Sequence, residues 1–361
     1  MTQAIATLLD GHAFQARQFW WRAVQLLDPQ SPILRVAFEC GPKSFDDIWV
    51  EYDPAGAPND QFGRPLLREH IQCKWHASPG SYTYTDLTEP AFVNAETHSL
   101  LQRAHRAQVD HAPSGEGARF RLLTNWRLAK DDPLRALIGN RSGALRTERL
   151  LEGKTDRSRM GALRKHWRDH LGIDDEALLR LSNTLAFSEA TDTLDDWRAH
   201  LDARFALVGL RRVPSNESAF SYDGLVYNWL GQGRIEFDRA QFRQTCEREG
   251  LLGGNAAPRP RTFGVKSFEH AVDRLEDRCV KVLDLVPVFD DRFIRIEDDW
   301  DQSLYPALKV FLLNAAKSDE HLRLVLDAHA TLAYAAGTVL DLKSGRAVEL
   351  EQRAPIRQIW S

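Results

Sequence analysis

Cysteine is scarce in this chain of 361 residues, and its four cysteines include no Cys-x-x-Cys pair. The spacing therefore predicts neither a zinc site nor a disulfide framework. No run of apolar residues approaches the length of a membrane span. The segment from Met1 to Ala4 lacks the basic stretch and the cleavage site of a signal peptide. We therefore expect a cytoplasmic protein that does not associate with a membrane.

A large excess of either charge is also lacking, because 47 basic residues stand against 51 acidic ones and the net charge is -4. This balance argues against a protein that coats DNA indiscriminately, although it says little about local patches. Hydrophobic residues make up 43% of the chain and charged residues 27%, as in soluble globular proteins. The length predicts two or three domains.

One segment is locally basic. Residues 141–168 contain nine Arg or Lys residues and three acidic ones. Such a surplus would suit a surface that faces DNA phosphates. The alternative is a solvated helical face with ordinary ion pairs between residues four positions apart. The candidate DNA-binding residues of this segment are Arg157, Arg159, Arg164 and Lys165.

The first third of the chain alternates between helical and extended patterns. Apolar residues recur at helical spacing, then at the spacing of strands, then again at helical spacing. The resulting order α-β-β-β-α-β is what a restriction-endonuclease-like α/β core requires. We predict, in sequence order, a helix over 11–27, strands over 34–39, 48–52 and 70–75, a helix over 94–109 and a strand over 119–125.

The third predicted strand contains the triplet Gln72-Cys73-Lys74. Residues two apart in a strand share a face, so Gln72 and Lys74 should point the same way while Cys73 enters the core. An ammonium group beside a metal site can orient water or stabilise a pentacovalent phosphate. A solvated lysine on an edge strand is the alternative reading of Lys74.

Acidic residues lie at the ends of the first two predicted strands. Glu39 ends the first, and Asp46 and Asp47 precede the second. Carboxylate oxygens are the ligands that Mg²⁺ prefers. If these strands are neighbours, the acids and Lys74 meet at one edge of a small sheet, which favours metal-dependent phosphodiester cleavage. Asp46 and Asp47 could instead be turn residues after Gly41-Pro42.

These residues carry a family resemblance. The strings Gly11-x-x-Phe14-Gln15, Phe38-Glu39, Asp46-Asp47-Ile48 and Ile71-Gln72-Cys73-Lys74 resemble the nuclease domain of the PD-(D/E)xK superfamily. More narrowly, they resemble the N-terminal double-stranded-DNA nuclease of CBASS effectors that carry a SAVED sensor domain. The resemblance extends over roughly the first two-thirds of the chain.

The resemblance implies a role for each matched residue. Glu39 and Asp47 match the acidic metal-site positions, and Lys74 matches the catalytic lysine. Gln72 takes the place usually held by a second acid, and a neutral amide binds a hard cation less well than a carboxylate does. Gln15 matches a helix residue that supports the metal site, with Asp46 as a further supporting acid. The implied metal ligands are thus Asp47, Glu39 and Gln72, and the implied cofactor is Mg²⁺, or Mn²⁺ in its place.

Three regions are predicted along the chain. The nuclease core covers residues 1–130, and a helical region associated with it covers 131–252. A stretch rich in glycine and proline then separates a C-terminal module at 261–361. In that module we predict a helix starting at Val265 and a small Rossmann-like βαβ unit over 321–352, whose two strands should be parallel.

The βαβ unit resembles the opening of a SAVED domain, which binds cyclic oligonucleotides. Its strands end near Asp327, His329 and Gln352, where a nucleotide pocket would lie. For His329 the alternative is a helix-start residue without a ligand. One βαβ unit cannot enclose a cyclic trinucleotide, and its bare strand edges should pair with another chain. We therefore expect a partial SAVED-like module that serves assembly or regulation.

The sequence supports two classes of function. The first is a Mg²⁺-dependent DNA endonuclease of bacterial antiphage defence, latent until it is activated. Activation would come from a regulatory protein partner, as in the nuclease subunit of Lamassu-type systems, or from a cyclic oligonucleotide, as in CBASS effectors. The short C-terminal module favours the partner. A double-strand cut needs two active sites, so we expect a homo-oligomer when active. The second class is a non-catalytic scaffold that binds DNA.

Overall fold

The computed structural model describes residues 2–42, 45–153, 155–253, 261–269, 274–296, 299–318, 321–340, 347–352 and 358–360. These residues form a mixed α/β protein. The described α-helices are α1 (Thr2–Ala23), α2 (Leu100–His111), α3 (Thr147–Leu150), α4 (Arg159–Leu171), α5 (Asp175–Thr184), α6 (Leu194–Val208), α7 (Ser221–Gly231), α8 (Arg239–Arg248), α9 (Tyr305–Ser318) and α10 (Ala330–Val339). None of them is long and apolar enough to cross a membrane.

Most of the strands belong to two sheets. The described strands are β1 (Ile33–Phe38), β2 (Ile48–Tyr52), β3 (Arg68–Lys74), β4 (Ser81–Tyr82), β5 (Ala118–Thr124), β6 (Arg127–Leu128), β7 (Leu185–Glu189), β8 (Glu236–Asp238), β9 (Arg261–Lys266), β10 (Lys281–Asp284), β11 (Phe289–Asp290), β12 (Phe293–Ile294), β13 (His321–Asp327), β14 (Ala347–Gln352) and β15 (Gln358–Trp360).

The chain forms two compact units, and each has its own sheet. The larger unit comprises Thr7–Arg211 and Tyr222–Leu252, and the smaller comprises Met1–Ala6, Arg212–Ser221 and Gly253–Ser361. In the larger unit the described strands form a six-stranded sheet in the order β7-β5-β3-β2-β1-β8. Strands β1, β2 and β3 are antiparallel neighbours, whereas β3, β5 and β7 run parallel. The parallel step from β3 to β5 requires a crossover, which contains α2.

The predicted order α-β-β-β-α-β is observed as α1, β1, β2, β3, α2 and β5, with the two-residue strand β4 paired to β6 outside this sheet. The bounds of β2 agree with the prediction, but α2 begins at Leu100 rather than at residue 94. Asn94 has a left-handed backbone that ends a 3₁₀ helix. Ser99 then caps α2 reciprocally with Gln102, which fixes the start of the helix.

Both faces of the large sheet are covered by apolar side chains. On the α1 side, the ring of Trp20 lies 4.8 Å from that of Tyr222 and 5.8 Å from that of Phe242. On the α2 side, Phe120 and Trp167 are fully buried in a second cluster. Burial of these large rings supplies much of the stabilisation, because hydrophobic stabilisation scales with the apolar area removed from water.

The predicted boundary at residue 130 does not separate compact units. Region 131–252 was expected to be helical, and it does contain α3 to α8, but it also supplies both edge strands of the large sheet. Strand β7 pairs in parallel with β5, and β8 pairs with β1. The sheet of residues 1–130 is therefore complete only with strands from the following region.

In the smaller unit the described strands form a five-stranded sheet in the order β10-β9-β13-β14-β15. The predicted βαβ unit is present as β13, α10 and β14, and its strands are parallel as expected. Its edges are not bare, because β9 pairs with β13 and β15 pairs with β14. The expectation of an isolated βαβ unit that needs another chain to cover its strands is therefore wrong.

The helix predicted from Val265 is also wrong, because this residue lies in β9. A Cβ atom on Gly264 would lie 3.0 Å from the Sγ atom of Cys279 and 3.0 Å from Leu275. Glycine thus allows the close approach of the segment 275–279 to a central strand. Phe263 and Val265 are buried in the core of this unit together with Leu324 and Leu332.

Candidate active site

The connection between β1 and β2 brings the three acidic residues together. The backbone N–H of Glu39 donates to the carbonyl of Asp47 at 3.1 Å, and that of Cys40 donates to the carbonyl of Asp46 at 2.8 Å. Glu39 has a φ of 50°, in the left-handed region that non-glycine residues rarely occupy. Strained backbone of this kind is concentrated at functional sites. The acids therefore lie at one corner of the sheet.

Asp47 joins this corner to β3. Its Oδ2 atom accepts hydrogen bonds from the side-chain amide of Gln72 at 2.6 Å and from the backbone N–H of Cys73 at 2.6 Å. Only 5% of Asp47 is exposed. The carboxylate is thus fixed against the strand that contains Lys74, as the sequence predicted from the order of the strands.

The acidic corner has a surplus of negative charge. The net pKa of Asp47 is raised to about 7. Burial raises this pKa most, the hydrogen bonds from Cys73 and Gln15 lower it, and the charges of Glu39 and Asp46 raise it. Burial and the charge of Asp46 likewise raise the pKa of Glu39. A cation placed among these groups would relieve both burial and repulsion.

Lys74 is half-buried at the end of β3, on the same face as Gln72, while Cys73 is buried in the core. The predicted alternation is therefore observed. Burial lowers the pKa of Lys74, and the charge of Asp47 partly offsets this effect. Lys74 thus shares a face of β3 with Gln72, whose amide contacts Asp47.

Gln15 reaches the site from α1. Its Nε2 atom donates to Oε1 of Glu39 at 3.4 Å, so the structure places Gln15 beside this acid. Its Oε1 atom lies 3.2 Å from the hydroxyl of Tyr227 in α7. Burial raises the pKa of Tyr227, and the charges of Glu39 and Asp47 raise it further. Sequence reasoning did not find Tyr227, because the contact joins positions 212 residues apart.

The end of β3 is fixed by a second group that the sequence did not reveal. Asn125 accepts from the backbone N–H of His76 at 2.8 Å and donates to its carbonyl at 2.7 Å. The ring of His76 is stacked on that of Trp126 at 3.7 Å. Burial lowers the pKa of His76 to about 4, with a contribution from the charge of Lys74. These contacts hold the backbone immediately after Lys74.

The donor atoms of the corner fit a hard divalent cation in kind. No group of three or more His, Cys, Asp or Glu side chains placed to hold a metal ion occurs among the described residues. The available set is instead the carboxylates of Glu39 and Asp47 with the amides of Gln72 and Gln15. This small set suits Mg²⁺, which is commonly bound by one or two carboxylates together with water and substrate phosphate.

Comparison with known proteins identifies the family. Over 368 aligned positions, which include 100% of this chain and 72% of the relative, the sequence is 32% identical to CD-NTase-associated protein 4 of Enterobacter hormaechei subsp. hoffmannii. The chain belongs to the CD-NTase-associated protein 4 family. Membership of this family supports the predicted relationship to CBASS effectors with a SAVED domain. A search of protein-family models gave no match.

The likeness to solved structures is weaker. The Cap4 SAVED/CARF-domain receptor of Moraxella osloensis is 15% identical, with a TM-score of 0.32, and the match covers 97% of this chain and 71% of that one. The receptor of Acinetobacter baumannii, solved with the cyclic trinucleotide 3'3'3'-cAAA, is 15% identical, with a TM-score of 0.33, and the match covers 97% of this chain and 69% of that one.

In this member of the family, the four predicted DNA-binding residues differ in their surroundings. Arg157 is exposed, and exposed Lys165 is paired with Asp169. Arg159 is exposed and donates to the carbonyl of Asp131 at 2.7 Å. Arg164 is buried, and its guanidinium donates to the carbonyls of three residues: Leu150, Glu152 and Gly153. Its role in this structure is to close the loop before α4, so we do not retain it as a DNA contact.

Replacing Arg164 should therefore destabilise the protein. We expect Arg164→Ala to lower the free energy of unfolding by about 2–4 kcal/mol, because it leaves three carbonyl groups without their donor. The matched variant Arg157→Ala removes an exposed guanidinium and should change it by less than about 0.5 kcal/mol. Denaturant unfolding measures both values. Equal effects of the two substitutions would contradict the structural role of Arg164.

Proposed function

We propose that this protein is a latent, metal-dependent endonuclease that degrades double-stranded DNA in bacterial antiphage defence. The observation that supports this most is the double contact of Asp47 with Gln72 and Cys73, which fixes the acidic corner against the strand of Lys74. Two carboxylates, two amides and one ammonium at the edge of a sheet suit hydrolysis of a phosphodiester. The resemblance to PD-(D/E)xK nucleases assigns the same residues.

Each side chain has a distinct role in this proposal. Asp47 and Glu39 would hold a Mg²⁺ ion, with the amide oxygen of Gln72 as a weaker ligand. Such an ion polarises the phosphate and makes a bound water more acidic. Lys74 stabilises the negative charge that develops on the phosphate during attack. The contacts of Asn125 with His76 keep the end of this strand in place.

The DNA surface in this proposal includes the exposed side chains around the start of α4. Arg157, Arg159 and Lys165 remain candidates, because their charged groups are exposed or form only surface contacts. Contacts of this kind neutralise phosphates and give affinity without sequence preference. A cut through both strands requires two active sites, so the active form in this proposal is an oligomer.

For activation, we favour a cyclic oligonucleotide bound by the smaller unit. Two observations support this choice over a protein partner: membership of the CD-NTase-associated protein 4 family and the topology of the five-stranded sheet. The chain passes from β9 to β10 on one side of the sheet, and from β13 to β14 on the other side. The strand order therefore reverses between the neighbouring strands β9 and β13. Ligands of open α/β sheets bind outside the carboxyl ends of the strands at such a point.

Polar and aromatic groups meet at this point. The Oγ atom of Ser267, just after β9, lies 2.6 Å from Nδ1 of His329 and accepts from the backbone N–H of His329 at 2.9 Å. The imidazole is stacked on Phe289 at 4.5 Å, and the ring of Phe268, which is 40% exposed, lies 5.7 Å away. His329 precedes α10 and contacts Ser267, so its ring lies between the ends of β13 and β9.

We expect His329→Ala to weaken binding of the activating cyclic oligonucleotide roughly tenfold, a loss of about 1.4 kcal/mol. The substitution removes an aromatic surface and the partner of Ser267 at the proposed pocket. His321→Ala is the control, because His321 lies at the other end of β13 and contacts Glu349. Calorimetry with a panel of cyclic di- and trinucleotides gives the affinities. Equal losses for both variants would place the pocket elsewhere.

One experiment separates the proposed functions. Supercoiled plasmid is incubated with the protein and Mg²⁺ or EDTA, in the presence and absence of the same cyclic oligonucleotides. We expect degradation only with both Mg²⁺ and an activating nucleotide. DNA binding without cleavage in every condition would favour a non-catalytic scaffold. Cleavage that instead requires a co-purifying protein would favour activation by a partner.

A further inference from the structure

The side-chain amide of Gln15 lies between two different groups. On one side its Oε1 atom is 3.2 Å from the hydroxyl of Tyr227, and on the other its Nε2 atom is 3.4 Å from Oε1 of Glu39. The amide nitrogen also lowers the pKa of Asp47. In this orientation, Gln15 presents a donor to the acidic corner. It therefore stabilises the carboxylates when no cation is bound.

The hydroxyl of Tyr227 is surrounded by more acceptors than it can satisfy. It has one proton, yet it lies 2.9 Å from the carbonyl of His12 and 3.2 Å from Oε1 of Gln15. A backbone carbonyl can only accept, so the shorter contact takes the proton. The hydroxyl oxygen is then an acceptor facing the oxygen of Gln15. Rotating the amide group by 180° exchanges its oxygen and its nitrogen without changing its shape. This turned-over amide would place Nε2 beside the hydroxyl as a donor.

We propose that Tyr227 is a positioning residue that holds the turned-over amide of Gln15, so that the Gln15 oxygen becomes an additional ligand of the divalent cation bound by Glu39 and Asp47. The inference rests on the proposed function of this corner. It gives the amide two states: a donor to the carboxylates without metal, and an oxygen ligand with metal. A cation selects the second state because it replaces the amide as partner of the carboxylates.

This arrangement compensates for the missing second acid of the site. Gln72 directs its amide nitrogen at Asp47, and its side-chain oxygen is a neutral ligand atom where a second acid would supply a charged one. An oxygen from Gln15 adds a ligand without adding charge to a corner that already holds three acids. The ring of Tyr227 is kept in place by Phe38, at 5.4 Å, and by His12, at 4.9 Å. The hydroxyl is therefore available at a fixed position.

The test measures metal binding by the metal-free protein of 361 residues, with Mn²⁺ as the probe in a calorimeter. Tyr227→Phe removes only the hydroxyl, and we expect Mn²⁺ affinity to fall about tenfold or more, as for other residues that orient metal ligands. Tyr222→Phe is the matched control in the same helix. Its hydroxyl donates to the carbonyl of Arg211 at 2.6 Å, away from the acids, so Mn²⁺ affinity should not change.

Gln15→Glu distinguishes a tyrosine that orients Gln15 from one that only stabilises the fold, because the effect of Tyr227→Phe on Mn²⁺ affinity can be measured with and without it. A carboxylate presents oxygen in either orientation and needs no partner to turn it, so adding Tyr227→Phe to Gln15→Glu should cost no further affinity. A Tyr227→Phe protein that binds Mn²⁺ like wild type would overturn the inference. So would an equal loss in both backgrounds. Failure of the wild-type protein to bind Mn²⁺ would instead overturn the proposed metal site itself.

Discussion

Lys74→Ala should lower the rate of DNA cleavage about 10²- to 10³-fold, the loss seen when one group that stabilises transition-state charge is removed. Lys74 is half-buried at the end of β3, on the face of Gln72, whose amide contacts Asp47. Metal binding should survive, because the carboxylates and amides remain. Gel analysis of plasmid digested under activating conditions measures the rate, and calorimetry measures Mn²⁺ affinity.

Lys130→Ala provides the control for this substitution. Lys130 is an exposed lysine of the same unit, and it belongs to neither the carboxylates nor the amides of the acidic corner, so its loss should leave the cleavage rate at saturating DNA unchanged. Circular dichroism and the midpoint of thermal unfolding check that both variants are folded. Full cleavage by a folded Lys74→Ala protein would exclude this lysine as the catalytic one.

Asp47→Asn should abolish both Mn²⁺ binding and DNA cleavage, and it should stabilise the metal-free protein by about 1–2 kcal/mol. One cause explains why Asp47→Asn should lose metal binding and yet gain stability without metal. The charge of Asp47 is buried beside Glu39 and Asp46, which is costly without a cation and favourable with one. Asparagine retains one oxygen that can accept from Gln72 and Cys73. Calorimetry and thermal unfolding measure the two effects.

Gln72→Glu tests the same argument in the reverse direction. It adds a carboxylate where the resembling nucleases usually have one, so Mn²⁺ should bind more tightly while the metal-free protein becomes less stable. If Asp47→Asn left Mn²⁺ affinity unchanged, Asp47 would not be a ligand, and the remaining acids of the corner, Glu39 and Asp46, would have to hold the ion. If it destabilised the metal-free protein, the two hydrogen bonds of Asp47 would outweigh the cost of its charge.

The local part of the site could be predicted from the sequence. The opposite placement of Cys73 and Lys74 follows from the alternation of side chains along any strand. The approach of Glu39 to Asp47 follows from the pairing of two strands joined by a short connection. Each of these predictions requires only residues that are close in sequence or in adjacent strands.

The remainder depends on tertiary contacts that leave little trace in the sequence. Strand β8 has three residues, too few for a visible period, and it pairs with β1 about 200 positions away: Arg35 and Glu236 are 201 residues apart. Tyr227 likewise lies far along the chain from Gln15, so no local pattern predicts their contact. In the basic segment, composition could not distinguish buried Arg164 from exposed Arg157, because only packing decides which guanidinium meets the carbonyls.

The chain passes between the two units more than once, which restricts how family members could exchange the smaller unit by recombination. The segment Arg212–Ser221 leaves the larger unit and belongs to the smaller one, where Ser218 donates to the carbonyl of Val280 at 2.6 Å and Glu217 pairs with Arg261 at 3.0 Å. The chain then returns to the larger unit for α7, α8 and β8. A single recombination junction after residue 252 would thus transfer the smaller unit without this ten-residue segment. Intact transfer, in evolution or in the design of chimaeras, would need a matching 212–221 segment as a second, separate replacement.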